Sequence, residues 1–413
     1  MSEPGQRRAL SHVGGQAYAE GDPAIAEHLK RALMVPPGED AHREHVHGFH
    51  SYPARLHPAV ARGLIDGLAP SGGAVLDPFC GSGTVLVEAR LSGRRAIGTD
   101  LNPIAIRLAS LKATGRVLAQ REALSLAAAR VAAVATERRT KRVGASRRYP
   151  AADVGSFAPH VLLELDGLRV GITAESDAAI RADLELVLSS LLTKLSRHRG
   201  DSAEGTTEKR IAAGYPARLF VNKTKELVLR LSELEALLPA DAPAARVAED
   251  DARRLATVAA GACDLVVTSP PYPGNYDYLA HHALRLRWLG LPPERLEQGE
   301  IGARRHLEAR SADDSRAAWL AQLTEVLGAM RRVLRRGGGA VLVLADSVVS
   351  GQPYLNDELT KIAGRAAGMQ IVARAWQERP HFHAPTQNAF RRRPRCEHAI
   401  FLAPYAERPA PKR

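Results

Sequence analysis

The sequence predicts an α/β protein built on a mostly parallel, doubly wound seven-stranded sheet with helices on both faces, interrupted by a long helical insertion. Three observations predict it. A short apolar run, Ala74-Val75-Leu76, ends in Asp77 and passes through the Gly-rich turn Gly81-Ser82-Gly83 into a helical stretch, Thr84–Leu91. A second strand from Arg95 to Asp100 and a helix from Pro103 follow, the strand–turn–helix–strand rhythm of a βαβ unit. The same rhythm resumes at Ala244, after a stretch that reads as helix.

The elements follow in order. Residues 1–45, rich in Gly, Pro and charge, read as a loose N-terminal arm with a short helix near Pro23–Leu33. An amphipathic helix is expected over Pro58–Leu68, with proline at its first position. From 113 to 242 the chain is rich in Ala, Leu, Glu and Arg, with apolar periodicity in Leu184–Leu195 and Lys225–Leu238 and loops near Tyr149–Pro159 and Arg197–Thr207. Strands are expected at Ala244–Val247 and Asp264–Thr268, then a helix over Ser315–Leu334 terminated by Gly337-Gly338-Gly339. A strand at Ala340–Ala345, a helix at Asp357–Ala367, and strands at Gln370–Ala375 and Glu397–Leu402 complete the sheet. The expected organisation is an arm (1–45), an α/β domain in two pieces (46–112 and 243–405) and a helical insertion (113–242). There is no internal repeat.

The chain of 413 residues carries a formal net charge of +12. A basic balance favours a polyanionic partner, because Lys and Arg that neutralise phosphates release counterions; an Arg-rich soluble chain gives the same number without one. Cys80, Cys263 and Cys396 are far apart and odd in number, which argues against a disulfide framework or a Cys-based zinc site and fits a reducing cytoplasm. The polar N-terminus lacks the apolar core of a leader, and no run reaches the ~18 apolar residues of a membrane span. A soluble cytoplasmic protein is expected.

Two loops carry the chemistry. In Asp77-Pro78-Phe79-Cys80-Gly81-Ser82-Gly83-Thr84 the glycines permit close backbone approach. The turn lacks the lysine of a phosphate loop, and an acidic residue at its start repels a pyrophosphate but suits a ligand bearing an ammonium group. Asp100, in Gly98-Thr99-Asp100-Leu101-Asn102-Pro103, stands at a strand end where a carboxylate accepts from ribose hydroxyls. Asp251, after the next strand, is placed to accept from an adenine amino group. Each of these aspartates has a plainer reading as a helix N-cap. In Thr268-Ser269-Pro270-Pro271-Tyr272 two prolines fix the backbone and remove two N–H donors, leaving carbonyls and the Ser269 hydroxyl to receive an amino group, with the Tyr272 ring beside them. A packed Pro-Pro turn is the plainer reading.

Together the loops resemble the amino-methylating DNA methyltransferases, the cytosine-N4 and adenine-N6 enzymes. Phe79, Gly81 and Gly83 fill the family's donor pattern F-x-G-x-G, Ser269 to Tyr272 fill its catalytic [S/N/D]-P-P-[Y/F], and His50 to Pro58 (H-S-Y-P-A-R-L-H-P) resembles the segment that closes over the donor. The match covers most of 46–110 and 245–402. It implies a Rossmann-like class I methyltransferase fold and S-adenosylmethionine as methyl donor. Donor contacts are implied for Tyr52, Asp77, Phe79, Cys80, Gly81, Gly83, Thr84, Asp100, Asn102, Asp251 and Ala252. Ser269, Pro270, Pro271 and Tyr272 are implied as the catalytic loop that holds the amino group of a base flipped from double-stranded DNA and stacks it on Tyr272. Serine at the first catalytic position goes with cytosine-N4 in this family, Asp or Asn with adenine-N6. No Pro-Cys nucleophile is visible, and Cys80 reads as a small packed side chain.

The insertion departs from the commonest family order, which leaves two candidate regions for reading DNA: the insertion, with Arg197, Arg199, Lys209 and Arg210, and Tyr276–Arg316, with Tyr276, Arg285, Arg287, Arg304 and Arg305. A solvated helical face is the plainer reading of both. Arg391, Arg392, Arg393 and Arg395 read as phosphate contacts or a charged turn. His42, His45, His47 and His50 are loosely spaced with no Cys partner, so no metal is expected. The rival functions are guanine-N2 methylation of RNA and a nucleic-acid-binding subunit without catalysis. A companion restriction endonuclease is the partner a site-specific DNA methyltransferase would have.

Overall fold

Eight strands form one sheet in the computed structural model, which describes residues 16–36, 40–198, 207–380 and 384–405. The strands are β1 (Ala17–Gly21), β2 (Ala74–Asp77), β3 (Arg95–Asp100), β4 (Arg246–Glu249), β5 (Cys263–Thr268), β6 (Leu334–Ala345), β9 (Met369–Glu378) and β10 (Cys396–Pro404), with a separate hairpin of β7 (Ser347–Val349) and β8 (Gln352–Tyr354). Their order is β1-β9-β10-β6-β5-β2-β3-β4. Strands β4, β3, β2, β5 and β6 run parallel. Strand β10 lies antiparallel between β6 and β9, and β1 pairs antiparallel with β9 at the edge. The chain order reverses between β2 and β5, and a crevice outside the carboxyl ends of strands at such a switch point is where α/β sheets bind ligands.

Both faces of the sheet are covered, so its central strands read as unbroken apolar runs. Alternate residues go to opposite faces. Val75, Leu265, Val267, Val341 and Val343 join one buried cluster with helices α1 (Pro23–Leu33), α2 (Pro58–Leu68), α3 (Thr84–Leu91) and α4 (Pro103–Thr114). Leu76, Val266, Leu342 and Leu344 join the other with α13 (Ala312–Val333) and α14 (Asn356–Ala366).

The expected seven strands are present, with an eighth from the segment read as a loose arm. Asp22 caps α1, its Oδ1 accepting from the Ala24 and Ile25 amides at 3.1 Å, with Pro23 at the first helical position. The helix packs on α2 and β9. Strand β1, Ala-Tyr-Ala-Glu-Gly, lacks the β-branched residues that mark a strand; its pairing with β9, far along the chain, supplies what local sequence does not. A second difference lies at the triple glycine. Helix α13 ends at Val333 and β6 starts directly at Leu334, running through Gly337–Gly339 with a bulge opposite Cys263–Leu265.

The insertion is helical: α5 (Leu118–Thr140), α6 (Ala151–Ser156), α7 (Pro159–Thr173), α8 (Ala178–Leu195) and α9 (Tyr215–Leu237). Helix α7 crosses α5 closely, because a Cβ at Gly167 would stand 2.9 Å from Ala135 Cα and one at Gly171 3.0 Å from Val131 Cα. These helices share the buried cluster of the α2–α4 face. They also grip the segment before α2. His50 Nε2 lies 3.1 Å from Ser189 Oγ, and the Arg230 guanidinium donates to the carbonyls of Arg43 and His45 at 2.6 and 2.7 Å. The remaining helices are α10 (Tyr278–Leu289), α11 (Glu294–Gly299), α12 (Arg304–Glu308) and α15 (Ala384–Ala389). Among the described residues no helix is long and apolar enough to cross a membrane.

Candidate active site

The Gly-rich loop leaves β2 and is pinned at both ends: the Cys80 amide donates to Thr99 O at 3.0 Å and the Gly83 amide to Cys80 O at 2.7 Å. Gly81 and Gly83 have φ of +49° and +86°, which L side chains rarely adopt. A Cβ on Gly83 would stand 2.9 Å from Ala109 Cα of α4, and one on Gly81 3.1 Å from the Tyr52 ring. Gly83→Val therefore adds both left-handed strain and a backbone clash and is expected to cost about 2–4 kcal/mol of stability, measured by denaturant unfolding.

Two aspartates, Asp77 buried and Asp100 half-buried, organise this loop. Asp77 Oδ1 accepts from the Phe79 amide at 3.1 Å and from Thr268 Oγ1 at 2.6 Å, so it joins the two chemical loops directly. Asp100 accepts from the Gly81 amide at 2.9 Å and from the Asn102 amide at 2.8 Å. Burial raises both carboxyls, Asp77 to about 7 and Asp100 to about 6, and the hydrogen bonds offset only part of that rise. The helix-cap reading fails for Asp100. The cap of α4 is Asn102, whose Oδ1 accepts from the Ile104 amide while its Nδ2 donates to the Tyr52 hydroxyl at 3.3 Å. Asp251 holds Arg253 in a fork of 2.6 to 3.1 Å.

These groups surround one cavity at the switch point of the sheet. Of the expected donor contacts, Tyr52, Asp77, Phe79, Cys80, Gly81, Thr84, Asp100, Asn102, Asp251 and Ala252 line it, while Gly83 stands behind the loop against α4. Of the loop expected to be catalytic, Ser269 and Pro271 line the same cavity. Pro270 is not among its walls, and neither is Tyr272. The Tyr272 ring is only 8% exposed and packs in the buried cluster with Leu76 and Trp319. Its hydroxyl lies 3.4 Å from Ser269 Oγ and 3.5 Å from Glu397 Oε1. In this conformation little of the ring is open to a base. Burial also raises the Cys80 thiol well above its usual range, consistent with a packed side chain.

Sequence reasoning missed several walls. Ser82 lines the cavity, and its buried Oγ has no hydrogen-bond partner. Tyr278, Leu296, Gly299, Glu300 and Ile301 close the side facing Asp100. They come from the stretch read as a DNA contact. The signal available was the aromatic pair Tyr276 and Tyr278 beside the catalytic loop. Glu300 accepts from the Tyr278 amide at 2.6 Å, and Arg305 bridges Glu300 and Asp277.

Most residues expected to touch DNA are engaged within the chain. Arg285 is 1% exposed and donates to Ser51 Oγ and Thr193 Oγ1 at 3.1 Å, so it is an internal strut and not a DNA contact. Lys209 caps the end of α8 through the carbonyls of Thr193, Lys194 and His198. Arg287 pairs with buried Asp153, and Arg197 lies near Gly155 O. Tyr276 is half-buried against Tyr278. Arg210 and Arg304 are exposed, and Arg199 lies outside the described residues. In the C-terminal group, Arg393 pairs with Asp357 and Glu358, and Arg395 is buried on Asp346 O.

The strand order, with its one antiparallel strand between β6 and β9, and the paired loops at the switch point define a Rossmann-like methyltransferase fold. Residues 31–111 match the family model described as DNA methylase, N6_N4_Mtase. A stretch of 75 residues is 37% identical to the type II methyltransferase M.MvaI of Kocuria varians, covering 17% of this chain and 16% of that protein. Another of 52 residues is 40% identical to the tRNA (guanine(10)-N2)-dimethyltransferase of Methanothermobacter thermautotrophicus, covering 12% and 16%. The chain thus matches about one-sixth of the length of these curated relatives. Among solved structures, TrmN from Thermus thermophilus aligns with 84% of this chain and 49% of its own at 13% identity and a TM-score of 0.31.

Proposed function

We propose that the protein transfers a methyl group from S-adenosylmethionine to the exocyclic amino group of a DNA base, cytosine N4, held at Ser269–Tyr272. The observation that carries this reading is that one cavity is walled both by the Gly-rich loop with Asp77 and Asp100 and by Ser269 with Pro271. The residues suit such a donor: a carboxylate pair for its cationic groups and hydroxyls, apolar walls at Leu296 and Ile301, and a Ser82 hydroxyl lacking a partner. When bound, the donor supplies a methyl activated by its sulfonium. Asp100 keeps lone pairs for a ribose hydroxyl after accepting two amides. Ser269 offers the target amino group its Oγ and carbonyl as acceptors, and positioning with exclusion of water supplies the rate. The serine at position 269 favours cytosine through the family resemblance. Adenine-N6 is the neighbouring reading. The local similarity to a tRNA guanine-N2 enzyme favours RNA as the second substrate class to test.

Binding of S-adenosylmethionine by calorimetry tests the first half; absence of binding would exclude every methyltransferase reading. The pH dependence is specific. Because Asp77 and Asp100 titrate near 7 and 6 instead of 3.8, the folded chain holds protons that the unfolded chain has lost. Their contribution to stability without ligand therefore falls as pH rises from about 4 to about 7 and then levels off. A cationic donor favours the ionised carboxylates, so its affinity rises over the upper part of that window. The gain in Tm given by donor is expected to be larger at about pH 8 than at about pH 5.5; equal gains at both would contradict carboxylate recognition.

A further inference from the structure

We propose that His45, His47 and Glu88 form a buried metal site, suited to zinc, that ties the segment preceding Tyr52 to helix α3. His45 and His47 lie on a single short turn, His45–Gly48, and Glu88 lies on α3. Their exposures are 4%, 2% and 0%, and one ligating atom from each lies within 4.8 Å of the others.

The decisive feature is His45. Neither of its ring nitrogens has a hydrogen-bond partner, although both are buried. Buried polar groups are almost always satisfied, and an orphan is costly enough to require an explanation. The backbone points the same way. His45 has φ of +28°, an uncommon conformation for a residue with a Cβ, and it brings the His45 and His47 rings to 4.6 Å between centroids. Two imidazoles and a carboxylate are a ligand set that zinc takes.

Binding requires a small opening of one present contact. His47 Nε2 now lies 2.7 Å from Glu88 Oε1, while Arg62 Nε holds the other oxygen at 2.7 Å. A tetrahedral ion needs that first pair about 3.3 Å apart, the edge set by bonds of about 2.0–2.1 Å. Arg62 would stay as the outer partner that orients the carboxylate. The fourth position falls to water. Arg55 and Lys112, which depress His47 electrostatically, also oppose a cation, so binding is expected to be weaker than at an all-thiolate site. The other buried His–acid group, Asp346, Asp357 and His398, is different: Asp357 is held by Arg374 and Arg393, and Asp346 by the Asn356 and Cys396 amides. Histidine spacing alone did not suggest a site, because Glu88 joins it only through the fold.

The test uses the full chain, saturated with zinc, desalted and assayed for metal by mass spectrometry, beside His45→Ala treated identically. One zinc per chain in the parent and none in His45→Ala is expected, with a chelator lowering the Tm of the parent but not of the variant. Cobalt offered to the parent chain gives a reading independent of any variant: a visible absorption band of tetrahedral intensity is expected. A parent chain that holds no more zinc than His45→Ala, or that gives cobalt no such band, would overturn the proposal. Neither readout depends on methyl transfer.

Discussion

Asp100→Ala is expected to weaken S-adenosylmethionine binding by about two orders of magnitude. The carboxylate receives the amide of Gly81 in the Gly-rich loop and that of Asn102 in its own turn after β3. Hydrogen bonds to charged groups are worth about 1.5–3 kcal/mol each, and every 1.4 kcal/mol is tenfold in Kd. Removing Asp100 leaves two amides without their acceptor and frees the Gly-rich loop, in addition to deleting the proposed ribose contact. Asp100→Asn retains one acceptor oxygen and should fall between the two. Calorimetry on the three proteins gives the order. An unchanged Kd in Asp100→Ala would mean that the donor, if bound, lies elsewhere.

Ser269→Ala is expected to lower the rate constant for methyl transfer by about 10–100-fold while leaving donor Kd within about twofold. Ser269 lines the cavity but makes none of the contacts that shape the Gly-rich loop, so the loss should appear in chemistry and not in donor binding. Tyr272→Phe keeps the buried ring and removes only the hydroxyl that lies 3.4 Å from Ser269 Oγ and 3.5 Å from Glu397. A smaller loss is expected there. Single-turnover measurement with donor in excess separates the step from binding. A Ser269→Ala protein with the parent rate would remove this loop from the chemistry.

The fold was legible where local chemistry and period agree. Strands β2 and β5 read as apolar runs ending at Asp77 and Thr268, because a strand covered on both faces has no polar side. The glycines and aspartate of the first loop could be named because only those residue types make that turn and that acceptor. What escaped was set by long-range contact. Strand β1 exists through β9, and the walls Leu296, Glu300 and Ile301 reach the cavity only after α10 has turned the chain back. Arg285 has the charge of a DNA contact and the surroundings of a core residue, and sequence shows only the first. Tyr272 was expected to offer its ring to a base, and the motif could not reveal that the ring packs inward.

The insertion is also better understood as a support than its position suggested. It holds His50 through Ser189 and the turn before it through Arg230, so it fixes the segment that carries Tyr52 over Gly81. That gives the helices a reason to exist apart from reading DNA.

The most direct test of the central claim is to incubate the protein with methyl-labelled S-adenosylmethionine and, separately, double-stranded DNA and RNA, then digest each and identify the labelled nucleoside by mass spectrometry. The account predicts label in DNA alone, as N4-methylcytosine, accumulating about 10–100-fold more slowly with Ser269→Ala. Label in RNA guanine, or no transfer to either polymer by a chain that binds the donor, would contradict it.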